Sequence, residues 1–125
     1  MAKVRPERDD VRETRITEII LADCHDRFQR MVGWHYYFDQ SARFPFTAIC
    51  IATRASSPLK VNGETSVTGL ASSDKCVREI FVMIPHGQRE LAIPLSQLEP
   101  IATTDEKTEE AVADWRYWAA MGYRF

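Results

Sequence analysis

Residues 79–102 read EIFVMIPHGQRELAIPLSQLEPIA, and this stretch decides the fold expected of the whole chain. Residues 79–84 read as a strand: Glu79 followed by five apolar, branched or aromatic side chains with strand propensity. His86-Gly87-Gln88 supplies a tight turn, and residues 89–93 return as the partner strand. Pro94-Leu95-Ser96-Gln97-Leu98 then reads as one short helical turn, and residues 99–102 as a last short strand.

On the N-terminal side the same grammar continues. Phe44-Pro45-Phe46 leads into an apolar β-like run over residues 47–53, with Pro45 suited to a strand's beginning or an edge. Ser56-Ser57-Pro58 marks a loop, and Asn62-Gly63 is a strong turn signal. A short strand is expected over residues 66–70, followed by a polar loop over 71–78 that carries Asp74 and Cys76. Trp34 to Phe38, an aromatic run with His35, reads as a strand. The polar break Asp39-Gln40-Ser41-Ala42-Arg43 then becomes the tip of a hairpin, with Asp39 on it.

Helices flank this β region. Ile16, Ile20, Cys24, Phe28 and Met31 recur at spacings of three and four, which predicts one amphipathic helix over residues 10–32 with Gly33 as its stop. Residues before Asp10 are charged and expected to fray. At the other end Thr103-x-x-Glu106 has capping-box spacing. Asp105, Glu106, Glu109 and Glu110 place negative charge where a helix N-terminus favours it. Ala111, Val112, Trp115, Trp118 and Ala119 share one face, and Gly122 suits the residue after the helix. Short strands with tight turns and a helical turn before the last strand predict an α+β fold. It is a small antiparallel, SH3-like half-open β-barrel between an N-terminal and a C-terminal amphipathic helix. An irregular sheet covered by helices is the alternative.

The chain has 125 residues, room for one domain. Its 16 basic and 18 acidic residues leave a formal charge of −2, without the basic excess of a nucleic-acid binder. No run of about 20 apolar residues is present to span a membrane, and residues 1–10 lack the apolar stretch of a signal peptide. A cytoplasmic location is expected. The three cysteines, Cys24, Cys50 and Cys76, form no CxxC pair. Cys24 and Cys50 are expected in apolar surroundings, and Cys76 in an exposed loop. His25, His35 and His86 belong to no HExxH or Ser–His–Asp pattern, and no glycine-rich phosphate loop occurs. The chain is therefore not expected to be an enzyme.

Acidic residues at turns remain. Calcium takes six to eight oxygens, several of them carboxylate, and no EF-hand loop is present to supply them. A site would have to gather ligands from separate loops: Asp39, Asp74, Glu79 and Glu99 are the candidates. Trp34, Tyr36, Tyr37, Phe44 and Phe46 surround the Asp39 loop and suit either a packed barrel core or a peptide-binding groove.

Five stretches together resemble the CcbP-type family of small bacterial calcium-binding proteins. They are Gly33-Trp34-His35-Tyr36-Tyr37-Phe38-Asp39; Phe44-Pro45-Phe46-Thr47-Ala48; Ser57-Pro58-Leu59-Lys60-Val61; residues 89–101; and Ala113-Asp114-Trp115-Arg116-Tyr117-Trp118. The resemblance implies calcium binding without an EF-hand, a role in buffering or sensing calcium, and no catalysis. It makes Asp39 the first-choice metal ligand, with Asp74, Glu79 and Glu99 at further acidic positions of the family. The loop after Asp39 carries neutral Gln40 and basic Arg43 where the family has more acids, so weak binding is expected. The rival expectation is an SH3-like interaction module with a protein partner that has lost the metal.

Overall fold

The computed structural model describes residues 5–55, 57–102 and 104–125. Its elements are three helices, α1 (Asp10–Arg15), α2 (Arg27–Ser41) and α3 (Glu106–Ala120), and six strands. The strands are β1 (Phe46–Cys50), β2 (Glu64–Val67), β3 (Gly69–Leu70), β4 (Phe81–His86), β5 (Arg89–Pro94) and β6 (Leu98–Pro100). They make two three-stranded antiparallel sheets, ordered β2-β1-β6 and β3-β4-β5. The fold is α+β, and no closed barrel forms among the described residues.

The C-terminal half follows the pattern of its sequence. β4 and β5 pair from Phe81↔Pro94 to His86↔Arg89 across a two-residue Gly87-Gln88 turn. Leu95–Gln97 is a single 3₁₀ turn, and β6 follows it to pair with β1 as Ala48↔Pro100. The strand expected over 66–70 is two short strands separated by Thr68. β2 pairs with β1 as Phe46↔Val67, and Thr68 N then donates to Met83 O at 2.9 Å, so the chain passes from one sheet to the other. Pro45 precedes β1, where it interrupts no ladder.

The N-terminal half departs from expectation. The helix expected over 10–32 is two helices. α1 runs into a π-helical segment, Ile16–Ile20, and the chain then turns, with Asp23 at φ 58°. α2 restarts under its own cap: the Asp26 carboxylate accepts from Gln29 N at 2.8 Å, and the Gln29 side-chain oxygen accepts from His25 N at 2.6 Å. Gly33 does not stop a helix; it lies inside α2. A Cβ there would stand 2.7 Å from Ile20 O, so the missing side chain is what lets α2 cross the π-helical segment this closely. Residues 34–38 are helical rather than a strand, because Met31, Trp34 and Phe38 at spacings of three and four bury one face of α2. Packing overrides aromatic strand propensity here.

That buried face meets α3. Trp34 is fully buried, 5.1 Å centroid to centroid from Trp115 and 5.4 Å from Trp118. Asp105 caps α3 by accepting from Thr108 N at 3.1 Å and from the Thr108 hydroxyl at 2.7 Å. The capping role expected of Thr103 lies outside the described residues. Gly122 follows the helix at φ 88°, as its position predicts. Cys50 is buried as expected. Cys76, expected in an exposed loop, is fully buried beneath the Ser73–Lys75 turn, and Cys24 is half-buried in the loop after the π-helical segment rather than on a helix face.

Candidate metal centre

Asp39 is not on a hairpin tip. It sits in the last turn of α2 with its side chain exposed, and one carboxylate oxygen accepts from Gln40 Nε2 at 3.3 Å. The position matters chemically. The last carbonyls of a helix have no intrahelical partner, and together they carry partial negative charge. Backbone carbonyls are also natural calcium ligands. The backbone N–H of Arg43 donates to Thr108 Oγ1 at 2.8 Å, and its guanidinium, expected to oppose a cation there, forms no ion pair among the described residues. The Asp105 carboxyl is held below its usual range, chiefly by the Thr108 hydroxyl, with Arg43 contributing by charge.

Asp74 lies in the Ser73–Lys75 turn, exposed, and accepts from the Ser72 hydroxyl. That hydrogen bond is the leading reason its carboxyl is held below the ordinary value. The turn packs against α2. His35 Nε2 lies 2.8 Å from Ala71 O, which fixes this segment against the α2 face that carries His35 and, one helical turn on, Asp39.

The remaining two candidates are engaged elsewhere. Glu79, just before β4, accepts from Arg54 Nη2 at 2.7 Å and from Ser96 Oγ at 3.4 Å. Glu99 on β6 stands opposite Ile49, with Arg116 Nη1 at 3.6 Å. Among the described residues no hydrogen bond joins any two of the four candidates. No three His, Cys, Asp or Glu side chains among them form a group that could hold a metal ion. Asp39 thus offers one carboxylate charge, and the described residues hold no tight, preformed cage around it.

The aromatic residues divide. Trp34 and Phe46 are core, Tyr37 and Phe44 pack against it, and Tyr36 is 64% exposed. Phe28, Val32 and Tyr36, at successive helical turns, form an exposed stripe on α2 beside Ile19, and Asp39 continues the same side of the helix. The stripe borders a groove of about 830 Å³.

One acid holds a place that the sequence reading does not assign it. Asp114 is completely buried in α3 and accepts from Arg12, Arg15 and Tyr37. It follows Ala111 by three and precedes Trp118 by four, so an acid on the apolar face of α3 was the available signal.

A family model described as calcium binding matches residues 14–119. The chain is similar over its full length to the crystal structure of Anabaena CcbP, at 36% identity and a TM-score of 0.84, with all of both chains covered. It is also similar to a calcium binding protein in the calcium-binding form, at 35% identity and a TM-score of 0.79, again with all of both chains covered. No curated protein matches. The chain belongs to the CcbP family of calcium-binding proteins.

Proposed function

We propose that the protein is a cytoplasmic, non-catalytic calcium-binding protein, a buffer or sensor of weak affinity, with Asp39 as its principal ligand. One observation carries the reading: the full-length match to a relative in its calcium-binding form, with an exposed carboxylate kept at the carbonyl end of α2. Weak affinity is supported by the donor set, since ligand charge count tunes calcium affinity and extracellular-type sites fall at roughly 10⁻⁴–10⁻³ M. A sensing role is supported by where Asp39 lies. A cation there neutralises the charge that continues the exposed Phe28–Val32–Tyr36 stripe. We also read the chain as one domain, and its two sheets as a half-open SH3-like barrel, because residues 64–70 pair with β1 and then with β4.

Calorimetric titration with calcium at low ionic strength tests the site. Heat that saturates in the millimolar range and is lost in Asp39→Asn is the expected result. No heat at millimolar calcium would remove the function, and unchanged binding in Asp39→Asn would remove the site.

A protein-interaction module that has lost the metal is the second reading, and the exposed apolar stripe on α2 favours it. Calcium-silent calorimetry, together with a purified partner bound equally in calcium and in chelator and released by Phe28→Ser, would select it.

A further inference from the structure

Away from Asp39, between the C-terminal segment and the loops around Arg54 and Arg78, lies a cleft of about 750 Å³. Five arginines line it: Arg5, Arg54, Arg78, Arg116 and Arg124. They stand against one carboxylate of the lining, Glu79, in a chain whose formal charge is −2. Arg54 is taken by Glu79 at 2.7 Å, and Arg116 approaches Glu99 at 3.6 Å. Arg5, Arg78 and Arg124 form no ion pair among the described residues, and residues 1–4, 56 and 103 include no acid that could pair them.

The cation row continues beyond the cleft. Arg78 and Arg124 also line an adjoining hollow with Arg27 and with Phe125, whose main-chain oxygen is an acceptor there. Arg30, close by in sequence, is already spent on Phe125 O at 2.9 Å. Arg5 Nη2 lies against the backbone of Gly122, in ordinary contact distance (3.5 Å) of where a Cβ would stand, and the φ of 88° there is what calls for glycine. Tyr123, 41% exposed, stacks on Trp118 with centroids 6.0 Å apart and gives the cleft a flat aromatic wall.

The guanidinium groups of the cleft outnumber the carboxylates beside them and repel one another, and a concave wall focuses their field on an anion. Each offers a planar fork of donors that matches phosphate oxygens two at a time. The volume is that of a small-molecule site. An extended acidic peptide would use the cleft less fully than a compact anion with several charges. We propose that this cleft binds a small phosphoryl-bearing anion, with Arg5, Arg78 and Arg124 as its ligands and Tyr123 beside any organic group it carries.

The test uses the full chain, inorganic pyrophosphate as probe, chelator to remove divalent cations, and sodium chloride to hold ionic strength constant. Pyrophosphate should raise the Tm by about 3 °C or more at saturation, as expected of a ligand that binds only the folded state. It should also change the fluorescence of Trp118. Arg78→Ala/Arg124→Ala should lose most of the shift. Both residues are exposed, so the fold is not at stake, and Arg78→Ala alone should already weaken the response severalfold. Arg89→Ala, on the β4–β5 hairpin and outside the cleft's lining, should respond like the parent. No shift at 10-fold millimolar excess, an equal shift in the double variant, or saturation by a glutamate-rich peptide with no response to pyrophosphate would each overturn the proposal.

Discussion

Arg15 and Asp114 meet through a fork: Arg15 Nε donates to Oδ2 at 2.9 Å, and Nη2 donates to Oδ1 at 2.7 Å. Arg12 Nη1 adds a bond to Oδ1 at 2.8 Å and the Tyr37 hydroxyl one to Oδ2 at 2.9 Å. A carboxylate has about four acceptor positions, and all are used. One buried acid thereby ties α1 and α2 to α3. Replacing a whole buried ion pair by apolar side chains is often neutral, but removing one partner is not. Asp114→Ala leaves two arginine side chains, each about a quarter exposed or less, facing apolar surroundings. A loss of about 3–5 kcal/mol in unfolding free energy is expected, read from the shift of a urea transition.

Tyr37 makes the same cluster sensitive to alkali. Burial first, and then the hydrogen bond to Asp114, push its phenol above the ordinary value of 10.0. A raised folded pKa means that the native state keeps a proton which the unfolded chain gives up sooner. The contribution is fully present below pH 10 and is lost as the pH rises from there toward the folded pKa. Urea midpoints measured at pH 9 and pH 11 should fall more for the parent than for Tyr37→Phe. Equal falls would mean that Tyr37 is not titrating in this environment.

Gly33→Ala sets two effects against each other. Alanine favours a helix interior over glycine by roughly 1 kcal/mol. Its Cβ, however, would come 2.7 Å from Ile20 O and 3.2 Å from Cys24 Sγ. The first is backbone and cannot swing aside, and overfilled packing costs about 1–3 kcal/mol. The clash should win, leaving the variant less stable by up to about 2 kcal/mol net. A raised thermal midpoint would show that propensity dominates and that the crossing is looser than described.

These elements also show what a sequence can and cannot display. The β4–β5 hairpin, the 3₁₀ turn, β6 and α3 were legible because each carries its own local signal: Gly87 in a tight turn, Pro94 before the helical turn, acids at a helix start. The first half was illegible for a physical reason. The apolar spacing Ile16–Ile20–Cys24–Phe28–Met31 runs on through a break in the helix, so periodicity alone reads one helix where there are two. Asp26-x-x-Gln29, a capping pattern, was the signal of the restart. Gly33 and Trp34–Phe38 carry local signals that point elsewhere, because close crossing and burial against α3 are long-range effects. Asp39 was legible as an exposed acid, but its place at a helix end rather than a hairpin tip depended on that same burial.

The thiols give an independent check on burial. Cys50 and Cys76 are fully buried, and burial pushes the Cys76 thiol up. Cys24 is half-buried, donates to Gln29 O at 3.2 Å, and is also raised by burial. Reactivity follows the thiolate and its access. With a disulfide reagent at pH 8, Cys24 should react first and slowly, and the other two only after denaturant is added. Fast modification of Cys76 in the native protein would place it back in the exposed loop its sequence suggests.

The four candidate ligands should separate by calcium calorimetry. Glu79 and Glu99 face Arg54 and Arg116, so a cation reaching either would have to displace an arginine or share its carboxylate with one. Asp39 has no basic partner within ion-pair distance among the described residues, and Asp74 lies in a turn packed against the same helix. Ligand charge sets calcium affinity, so Asp39→Asn should weaken binding by about tenfold or more. Asp74→Asn should weaken it less, while Glu79→Gln and Glu99→Gln should stay within about threefold of the parent. Asp39→Asn/Asp74→Asn distinguishes one site from two. If both carboxylates serve one ion, the double variant should bind no calcium. If Asp74 only orders its own turn through Ser72, the double variant should match Asp39→Asn. A tenfold loss in Glu79→Gln with none in Asp39→Asn would move the site to the arginine cleft and reverse the assignment.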